Sequence, residues 1–409
     1  MKRKVFLTAG YNTVSLGTGR KEFNPKKVRP GIDYYLKEAG QATIKMLGGA
    51  DNVDEGVTGN FMAGSFVKQA HLGAFLTAID YKLRYKPSQR VEGACASGGL
   101  AILSGIKSVL TETSNVVLAI GVEVQNSVKA VYGADYLGYA GWFGDRKAGH
   151  AYFFPGLFSN RAGAYFGKFG REKTREAFAV WYKNAIENAR LCPTAQEYHN
   201  TCKDLISIAL SEPDPNVFTE YLNSYDCSKV SDGASSVAIC SEAGLQKAGI
   251  DRSDAVEVIS WALVTDDITK TPDDLTKLNT IEVAAGRALK SAGLKISDIS
   301  TIELHDCFTI AGLLSIEALG LASHGEGPEF VIQGNTSRNG SIPVNTTGGL
   351  IGWGHPTGAT GVHQAVTIWE QLTGKAGSSQ IKIPENKPFG MTINMGGDDK
   401  TVVAIIYKR

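Results

Sequence analysis

The sequence predicts a protein of the α/β class. Short runs rich in β-branched residues alternate with helical stretches near both ends of the chain, which is typical of helices packed in layers on central sheets. A hydrophobic content of 43% and a charged content of 20% are ordinary for a folded protein of 409 residues. No apolar run reaches the ~18 residues that a membrane span requires.

Each predicted element rests on a hydrophobic pattern. In the first helix the apolar residues Leu100, Leu103, Ile106 and Val109 recur at helical spacing. A later amphipathic helix is predicted to end before Pro193. We predict strands at 4–8, 116–121, 300–304 and 402–407, and helices at 101–110, 174–190, 281–292 and 310–319.

The middle of the chain differs from both ends. Phe, Trp and Tyr are dense between residues 136 and 182. Aromatic side chains bring much apolar area, so this segment either builds a small core of its own or lines a large apolar pocket. We predict two α/β halves, residues 1–125 and 235–409, with a loop domain of residues 126–234 between them.

Charge and cysteine usage exclude several functions. The chain has 42 basic and 41 acidic residues, so no net charge favours nucleic acid or a membrane surface as partner. Its six cysteines are scattered without a metal-binding spacing, which indicates a reduced protein with no metal site. The N-terminal apolar stretch is too short for a signal peptide, and no peroxisomal address ends the chain. We expect a cytoplasmic location.

Cys95 is a candidate nucleophile. It lies among small residues directly before the predicted helix at 101–110. The free N–H groups at a helix N-terminus favour thiolate over thiol, and an activated thiolate attacks carbonyl carbon. The alternative is a small, inert cysteine buried in a tight turn.

Three further stretches could carry chemistry. A strand end places His305 two residues before Cys307. A glycine-rich loop holds His355, and a turn with exposed N–H groups follows Asn394. Separately, each has a structural interpretation; together they supply a nucleophile, a base, a proton donor and oxyanion donors.

These motifs together resemble the thiolases, and the resemblance covers almost the whole chain. The tetrad HDCF, where many thiolases have Asn-Glu-Ala-Phe, resembles the branch related to sterol carrier protein 2, as does the segment from Phe166. The resemblance rests on GNFMAGSFVKQAHLGA (59–74), the Cys95 helix, GVEVQNS (121–127), SDGASSVA (231–238), HDCF (305–308), GHPTGATG (354–361) and NMGG (394–397).

The resemblance implies a role for each residue. Cys95 would accept the acyl group, and His355 would take its proton. His305 would donate a hydrogen bond to the enolate oxygen of the second acyl group. The N–H groups of Cys95 and Gly396 would stabilise the tetrahedral oxyanion.

One departure from the pattern concerns proton transfer. Ordinary thiolases carry a second catalytic cysteine in a C-x-G motif near the C-terminus, and here that place is Asn394. An amide cannot shuttle a proton near neutral pH. The HDCF branch implies that Cys307 takes over this role at the α-carbon of the substrate.

The implied fold is the five-layered αβαβα thiolase fold with an inserted loop domain. The implied reaction is cleavage of a 3-oxoacyl-CoA by CoA, or the reverse Claisen condensation, with CoA as co-substrate and no bound cofactor. A homodimer or larger oligomer is expected, and a small zinc-ribbon/OB-fold (DUF35-type) partner chain is compatible with this branch.

The acyl group stays open at the level of sequence. The aromatic loop domain fits a bulky or aromatic substrate such as benzoylsuccinyl-CoA, and acetoacetyl-CoA is the alternative. A second alternative, favoured by loss of the C-x-G cysteine, is an acyl-CoA-binding protein without turnover; the intact set of Cys95, His305, Cys307 and His355 argues against it.

Overall fold

The computed structural model describes residues 3–146 and 152–409. The strands are β1 Phe6–Asn12, β2 Glu55–Gly59, β3 Ser88–Val91, β4 Val116–Val124, β5 Asp232–Cys240, β6 Val256–Thr265, β7 Ile299–Glu303, β8 Phe389–Gly396 and β9 Thr401–Lys408. The helices are α1 Ile32–Met46, α2 Ala63–Phe66, α3 Leu76–Ile79, α4 Ser97–Leu110, α5 Ala130–Leu137, α6 Phe153–Phe169, α7 Arg171–Ala189, α8 Leu205–Ala209, α9 Glu242–Ala248, α10 Asn279–Ala292, α11 Thr309–Ala318, α12 Gly327–Ile332, α13 Gly349–Gly352 and α14 Thr360–Thr373. Each predicted strand and helix is present, with ends shifted by a few residues.

The strands form one continuous sheet that runs through both halves of the protein. Their order is β3-β2-β4-β5-β1-β6-β9-β8-β7. The junction is short, because β1 and β6 pair only through Phe6 with Glu257 and Leu7 with Val256. Within the halves, β2 and β4 are parallel, as are β7 and β8, so their carboxyl ends lie at common edges.

Helices α4 and α14 fill the space between the two halves. In β4, Val117 and Ala119 belong to the same buried cluster as these helices, whereas Leu118 and Ile120 belong to the cluster on the other face. This alternation follows from the two-residue period of a strand. The helices touch where glycines meet, since a Cβ at Gly98 would lie 2.7 Å from the amide nitrogen of Gly361.

The outer layers complete a five-layered αβαβα arrangement. Helix α1 packs its buried face on the first half of the sheet. Helices α10 and α11 pack on β7, β8 and β9 of the second half. The layers therefore follow the predicted order, helix–sheet–helix–sheet–helix.

The aromatic middle segment shares its core with the C-terminal half. Phe158 of α6 stacks on Phe308 of the HDCF tetrad, with ring centroids 4.6 Å apart. Other aromatic residues of α6 and α7 lie in the same buried cluster as α10 and α11. Packing on a neighbour gives the segment more buried area than a small core of its own would. Residues 147–151 of the predicted loop domain lie outside the described residues.

Among the described residues, no helix combines the length and apolar character that spanning a membrane requires.

Candidate active site

Cys95 lies in a strained turn between β3 and α4. Ala94, directly before it, has a φ of +51°, a left-handed conformation that costs a non-glycine residue about 1 kcal/mol or more. The turn is fixed locally, because the Ser97 hydroxyl donates to the Ala94 carbonyl and accepts from the Gly93 N–H. This turn places the thiol at the N-terminus of α4.

Burial keeps Cys95 in the thiol form. The side chain is 5% exposed, and this burial, together with the charges of Glu123 and Glu92, raises the pKa of Cys95 to about 12. The N–H groups of Cys95 and Gly397 lower this pKa, but they do not offset burial. These N–H groups favour the thiolate, as the sequence predicts, but burial outweighs them in the free protein, and attack requires a base.

Two histidines from the C-terminal half meet the sulfur. The ligand atoms of Cys95, His305 and His355 all lie within 4.8 Å of one another. The two imidazole rings are nearly perpendicular, with centroids 5.1 Å apart. His305 follows the carboxyl end of β7, and His355 lies in the loop between α13 and α14. The structure thus brings Cys95 together with two histidines that lie more than 200 residues after it in sequence.

His355 is oriented as a base. Its Nδ1 atom lies 2.7 Å from the Thr360 hydroxyl oxygen, and that hydroxyl can donate to the Pro356 carbonyl. The hydroxyl then accepts from Nδ1–H, which leaves Nε2 with its lone pair. Burial lowers the pKa of His355 to about 3, so the ring is neutral near pH 7.

His305 contacts the residue that replaces the C-x-G cysteine. The side-chain nitrogen of Asn394 lies 3.3 Å from Nδ1 of His305 and donates to the Cys95 carbonyl at 3.1 Å. Burial, followed by the charge of His355, holds the pKa of His305 well below its usual value. Both imidazoles are therefore neutral.

The Cys307 thiol interacts electrostatically with Cys95. It is 3% exposed, and burial first, then the nearby Cys95, raises the pKa of its thiol well above the usual value. Its main-chain carbonyl accepts a 2.9 Å hydrogen bond from the Ser228 N–H. A buried, protonated thiol in this segment is suited to give a proton.

Asp306 anchors the segment between these two residues. Trp181 donates its indole N–H to one carboxyl oxygen at 3.0 Å, and the Leu350 N–H donates to the other at 2.7 Å. Burial raises the pKa of Asp306 to about 7. The HDCF tetrad is thereby tied to α7 and α13.

Glu123 of β4 holds the loop of His355 against the N-terminal half. Its carboxylate is fully buried and accepts from five donors, which are the side chain of Asn60, the N–H groups of Phe61 and Met62, the Thr357 hydroxyl and the Gly358 N–H. A buried carboxylate is retained only with such partners.

The turn after β8 closes the site. The Gly397 N–H faces the Cys95 sulfur, and Gly396 lies against the main chain of the nucleophile turn, since a Cβ there would lie 2.1 Å from the Gly93 carbonyl oxygen. Only glycine allows this approach.

Residues 260–409 match the family described as thiolase C-terminal domain-like. An acetyl-CoA acetyltransferase of Methanothermobacter thermautotrophicus is 36% identical over 91% of this chain and 94% of that protein. The chain belongs to the thiolase superfamily. It is an acyltransferase of the thiolase type.

Further relatives place this thiolase near the predicted branch. Bovine sterol carrier protein 2 is 33% identical over 62% of the chain and 45% of that protein. The benzoylsuccinyl-CoA thiolase subunit BbsB of Thauera aromatica is 29% identical over 72% of the chain and 73% of that protein.

Solved structures confirm the thiolase fold. Human mitochondrial 3-ketoacyl-CoA thiolase in complex with CoA gives a TM-score of 0.68 at 16% identity, over 99% of this chain and 98% of that one. The Ltp2-ChsH2(DUF35) aldolase gives 0.76 at 22% identity, over 99% of this chain and 97% of that one.

Sequence reasoning did not identify Thr360 and Glu123 as parts of the site of this thiolase. Both lie inside motifs that carry the family resemblance, GHPTGATG and GVEVQNS. The available signal was a hydroxyl in the first turn of the helix after His355, and a carboxylate in an otherwise apolar buried strand.

Proposed function

We propose that the chain cleaves a 3-oxoacyl-CoA with CoA, or runs the reverse Claisen condensation, through an acyl-enzyme on Cys95. The observation that carries this proposal is the convergence of the Cys95 sulfur with ring nitrogens of His305 and His355, all within 4.8 Å of one another. Cys307, two residues after His305, interacts electrostatically with Cys95. A thiol, a neutral imidazole and a second thiol are the groups that acyl transfer with carbon–carbon cleavage requires.

In the first half-reaction, His355 takes the proton of Cys95 and the thiolate attacks the 3-oxo carbon. The bond to the α-carbon breaks, and its electron pair leaves as the enolate of the departing acyl-CoA. His305 donates a hydrogen bond to the enolate oxygen, and Cys307 gives its proton to the α-carbon. The N–H groups of Cys95 and Gly396 stabilise the tetrahedral oxyanion, with the Gly397 N–H beside them.

In the second half-reaction, CoA takes the place of the departed product. The Cys307 thiolate takes the proton of the CoA thiol, and the CoA sulfur attacks the acyl group on Cys95. Cys95 leaves as thiolate and recovers its proton from His355. The two half-reactions restore every protonation state and require no bound cofactor.

Two assays test the proposal. Intact-mass measurement after incubation with an acyl-CoA should show one acyl group, absent in Cys95→Ala. Cys307→Ala should still acylate but should lose cleavage of a 3-oxoacyl-CoA by about 100-fold or more, because no group protonates the α-carbon. Cys202→Ala, which removes a partly buried cysteine remote from these residues in sequence, is the control. Full cleavage by Cys307→Ala would exclude its role, and an unmodified wild type would exclude the acyl-enzyme.

A cavity next to Gly397 is suited to the acyl group. A Cβ at Gly397 would lie 2.9 Å from the Ala140 carbonyl and 3.5 Å from Cβ of Lys400, and both residues line the cavity. Its wall includes Trp142 and Phe153, and its volume is about 90 Å³. An apolar cavity of ~150 Å³ holds one benzene. A cavity of this volume accommodates a short acyl group, as in acetoacetyl-CoA.

A bulky or aromatic acyl group, as in benzoylsuccinyl-CoA, is the second candidate. The cavity shares Lys270, Asp398 and Lys400 with a larger cleft of about 430 Å³, into which a longer group could extend. A panel of linear and aryl-substituted 3-oxoacyl-CoA thioesters separates the candidates. If the cavity sets chain length, Trp142→Ala should raise kcat/KM for longer substrates relative to acetoacetyl-CoA.

We also propose a homodimer or larger oligomer that accepts a small DUF35-type chain, in the cytoplasm. The DUF35 component named in the Ltp2-ChsH2 aldolase supports the partner. Free thiols at all six cysteines support a reducing location. Sedimentation of the chain alone and with a DUF35 protein tests the assembly; a monomer in both runs would exclude it.

A further inference from the structure

Asn394 is held in one orientation by two main-chain groups. Its side-chain oxygen accepts from the Gly99 N–H at 3.0 Å, and its nitrogen donates to the Cys95 carbonyl at 3.1 Å. An amide rotated by half a turn would place donor against donor and acceptor against acceptor. The second amide proton therefore points at Nδ1 of His305, 3.3 Å away.

The surrounding packing leaves the amide no other position. Asn394 is 2% exposed. It lies where α4 and α14 meet, and the glycines there make room for its oxygen, since a Cβ at Gly99 or Gly361 would lie 2.8 Å or 2.3 Å from it. Every polar atom of the amide has a partner, so rotation would leave buried groups unpaired.

We propose that Asn394 is a positioning residue that fixes His305 as the tautomer with its proton on Nε2. Because Nδ1 must accept the amide proton, Nε2 carries the hydrogen of the neutral ring and serves as a donor in the site. This inference rests on the proposed function, in which His305 donates to the enolate oxygen. The residue that replaces the C-x-G cysteine thus has a function of its own, which is to orient His305.

The same contact has a consequence for metal binding. A buried cysteine with two imidazoles within 4.8 Å is a ligand set that suits Zn²⁺. A ligating histidine normally donates its other N–H to a carbonyl or carboxylate. Here His305 faces an amide donor instead, so ligation through Nε2 would bring two N–H groups together. Asn394 thereby disfavours zinc in the catalytic site.

The direct test is the protonation pattern of His305 in the wild type. The chain has seven histidines, and in protein labelled with ¹⁵N-histidine the His305→Gln variant identifies the signals of His305. We expect a protonated Nε2 and an unprotonated Nδ1. A proton on Nδ1 would overturn the proposal, and this readout does not depend on activity.

A variant tests the catalytic consequence. In Asn394→Ala the ring is free to populate both tautomers, so we expect a mixed ¹⁵N pattern. Carbon–carbon cleavage should fall by at least ~10-fold, since a donor to the enolate is partly lost. Acylation of Cys95 by a simple acyl-CoA, which depends on His355, should change much less. Equal losses in both assays would indicate a merely structural role and overturn the proposal.

Asn188→Ala is the matched control. Asn188 is also buried and donates to a main-chain carbonyl, that of Asn345, at 3.1 Å, but it does not contact His305. It should leave the ¹⁵N pattern and the ratio of the two activities unchanged. A wild type that fails to acylate would refute the proposed function, whereas the ¹⁵N pattern would still decide the tautomer.

Zinc provides an independent readout. We expect equimolar ZnCl₂ to inhibit Asn394→Ala more strongly than the wild type, with recovery on addition of a chelator. Equal inhibition of both proteins would show that Asn394 does not protect the site.

Discussion

The Nδ1 atom of His355 lies 2.7 Å from the hydroxyl oxygen of Thr360, on the first turn of the helix that follows the same loop. Thr360→Val keeps the shape of the side chain and removes the hydroxyl. The ring then loses the acceptor that holds Nε2 toward Cys95. We expect acylation of Cys95 to slow by about 10- to 100-fold, measured by rapid quench and intact mass.

Thr367 offers a matched control on the same helix. Its hydroxyl is buried and has no hydrogen-bond partner among the residues that the structure describes, so Thr367→Val should leave acylation unchanged and should not destabilise the protein. Thr360→Ser, which keeps a hydroxyl, should restore most of the activity. An active Thr360→Val would show that the contact does not orient the base.

The protonation states of the site predict an unusual pH profile. Burial lowers the pKa of His355 to about 3, far below the ~6.5 of an ordinary histidine. The base is neutral above its pKa, so acidification should protonate it only far below neutral pH. We expect the rate of Cys95 acylation to stay flat from about pH 8 down to about pH 5.

The behaviour at alkaline pH depends on the thiol of Cys95. Because the pKa of Cys95 is raised to about 12, alkylation of the free protein by iodoacetamide should be slow at neutral pH and should keep rising beyond pH ~8.5, where an ordinary cysteine levels off. An acid limb of acylation centred near pH ~6.5 would contradict the neutral state of His355.

The sequence contained enough to predict the layers and the list of reacting groups. Strand β4 is a continuous apolar run rich in β-branched residues, helix α4 has a helical apolar period, and His305, Cys307 and His355 each follow a recognisable break in such a pattern. Family resemblance then supplied the expectation that they meet, and the short distances between Cys95, His305 and His355 agree with it.

What the sequence could not predict depends on contacts across the fold. The orientation of Asn394 is set by Gly99 and Cys95, almost 300 residues away. The thiol form of Cys95 depends on how much protein covers it, which outweighs the local helix end. The aromatic segment shares its core with the C-terminal half because Phe158 meets Phe308, a pairing that periodicity does not encode.

Replacing Glu123 by glutamine should have a large effect on stability, although the two side chains have nearly the same shape. Both of its oxygens accept from two or more donors, so in Glu123→Gln the amide nitrogen must face N–H or O–H groups. At least two buried donors lose their acceptor. We expect a loss of about 3 kcal/mol in unfolding free energy, measured by urea denaturation, and slower acylation because the His355 loop loosens.

The same substitution at the exposed Glu112 should change neither stability nor acylation. A Glu123→Gln protein as stable as the wild type would show that the five contacts contribute little.

At Glu303 the same substitution by glutamine should instead increase stability as pH rises. One of its oxygens accepts from the N–H and the hydroxyl of Thr346, at 2.8 and 3.1 Å. Burial raises the pKa of Glu303 to about 8. The folded protein therefore holds a proton that the unfolded chain releases above pH ~4.3. Stability from this group is present at low pH and is lost as pH rises, by about 1.4 kcal/mol per pH unit between about pH 5 and pH 7.

Glutamine mimics the protonated form of Glu303, since one oxygen still accepts from Thr346. We expect Glu303→Gln to gain stability over the wild type as pH rises from about 5 to about 8, because it lacks the proton that must be released. The measurement is the difference in urea midpoint between the two proteins at several pH values. Glu282→Gln, which makes the same substitution at an exposed glutamate, is the control. A pH-independent difference for Glu303→Gln would mean that Glu303 is already ionised in the folded protein.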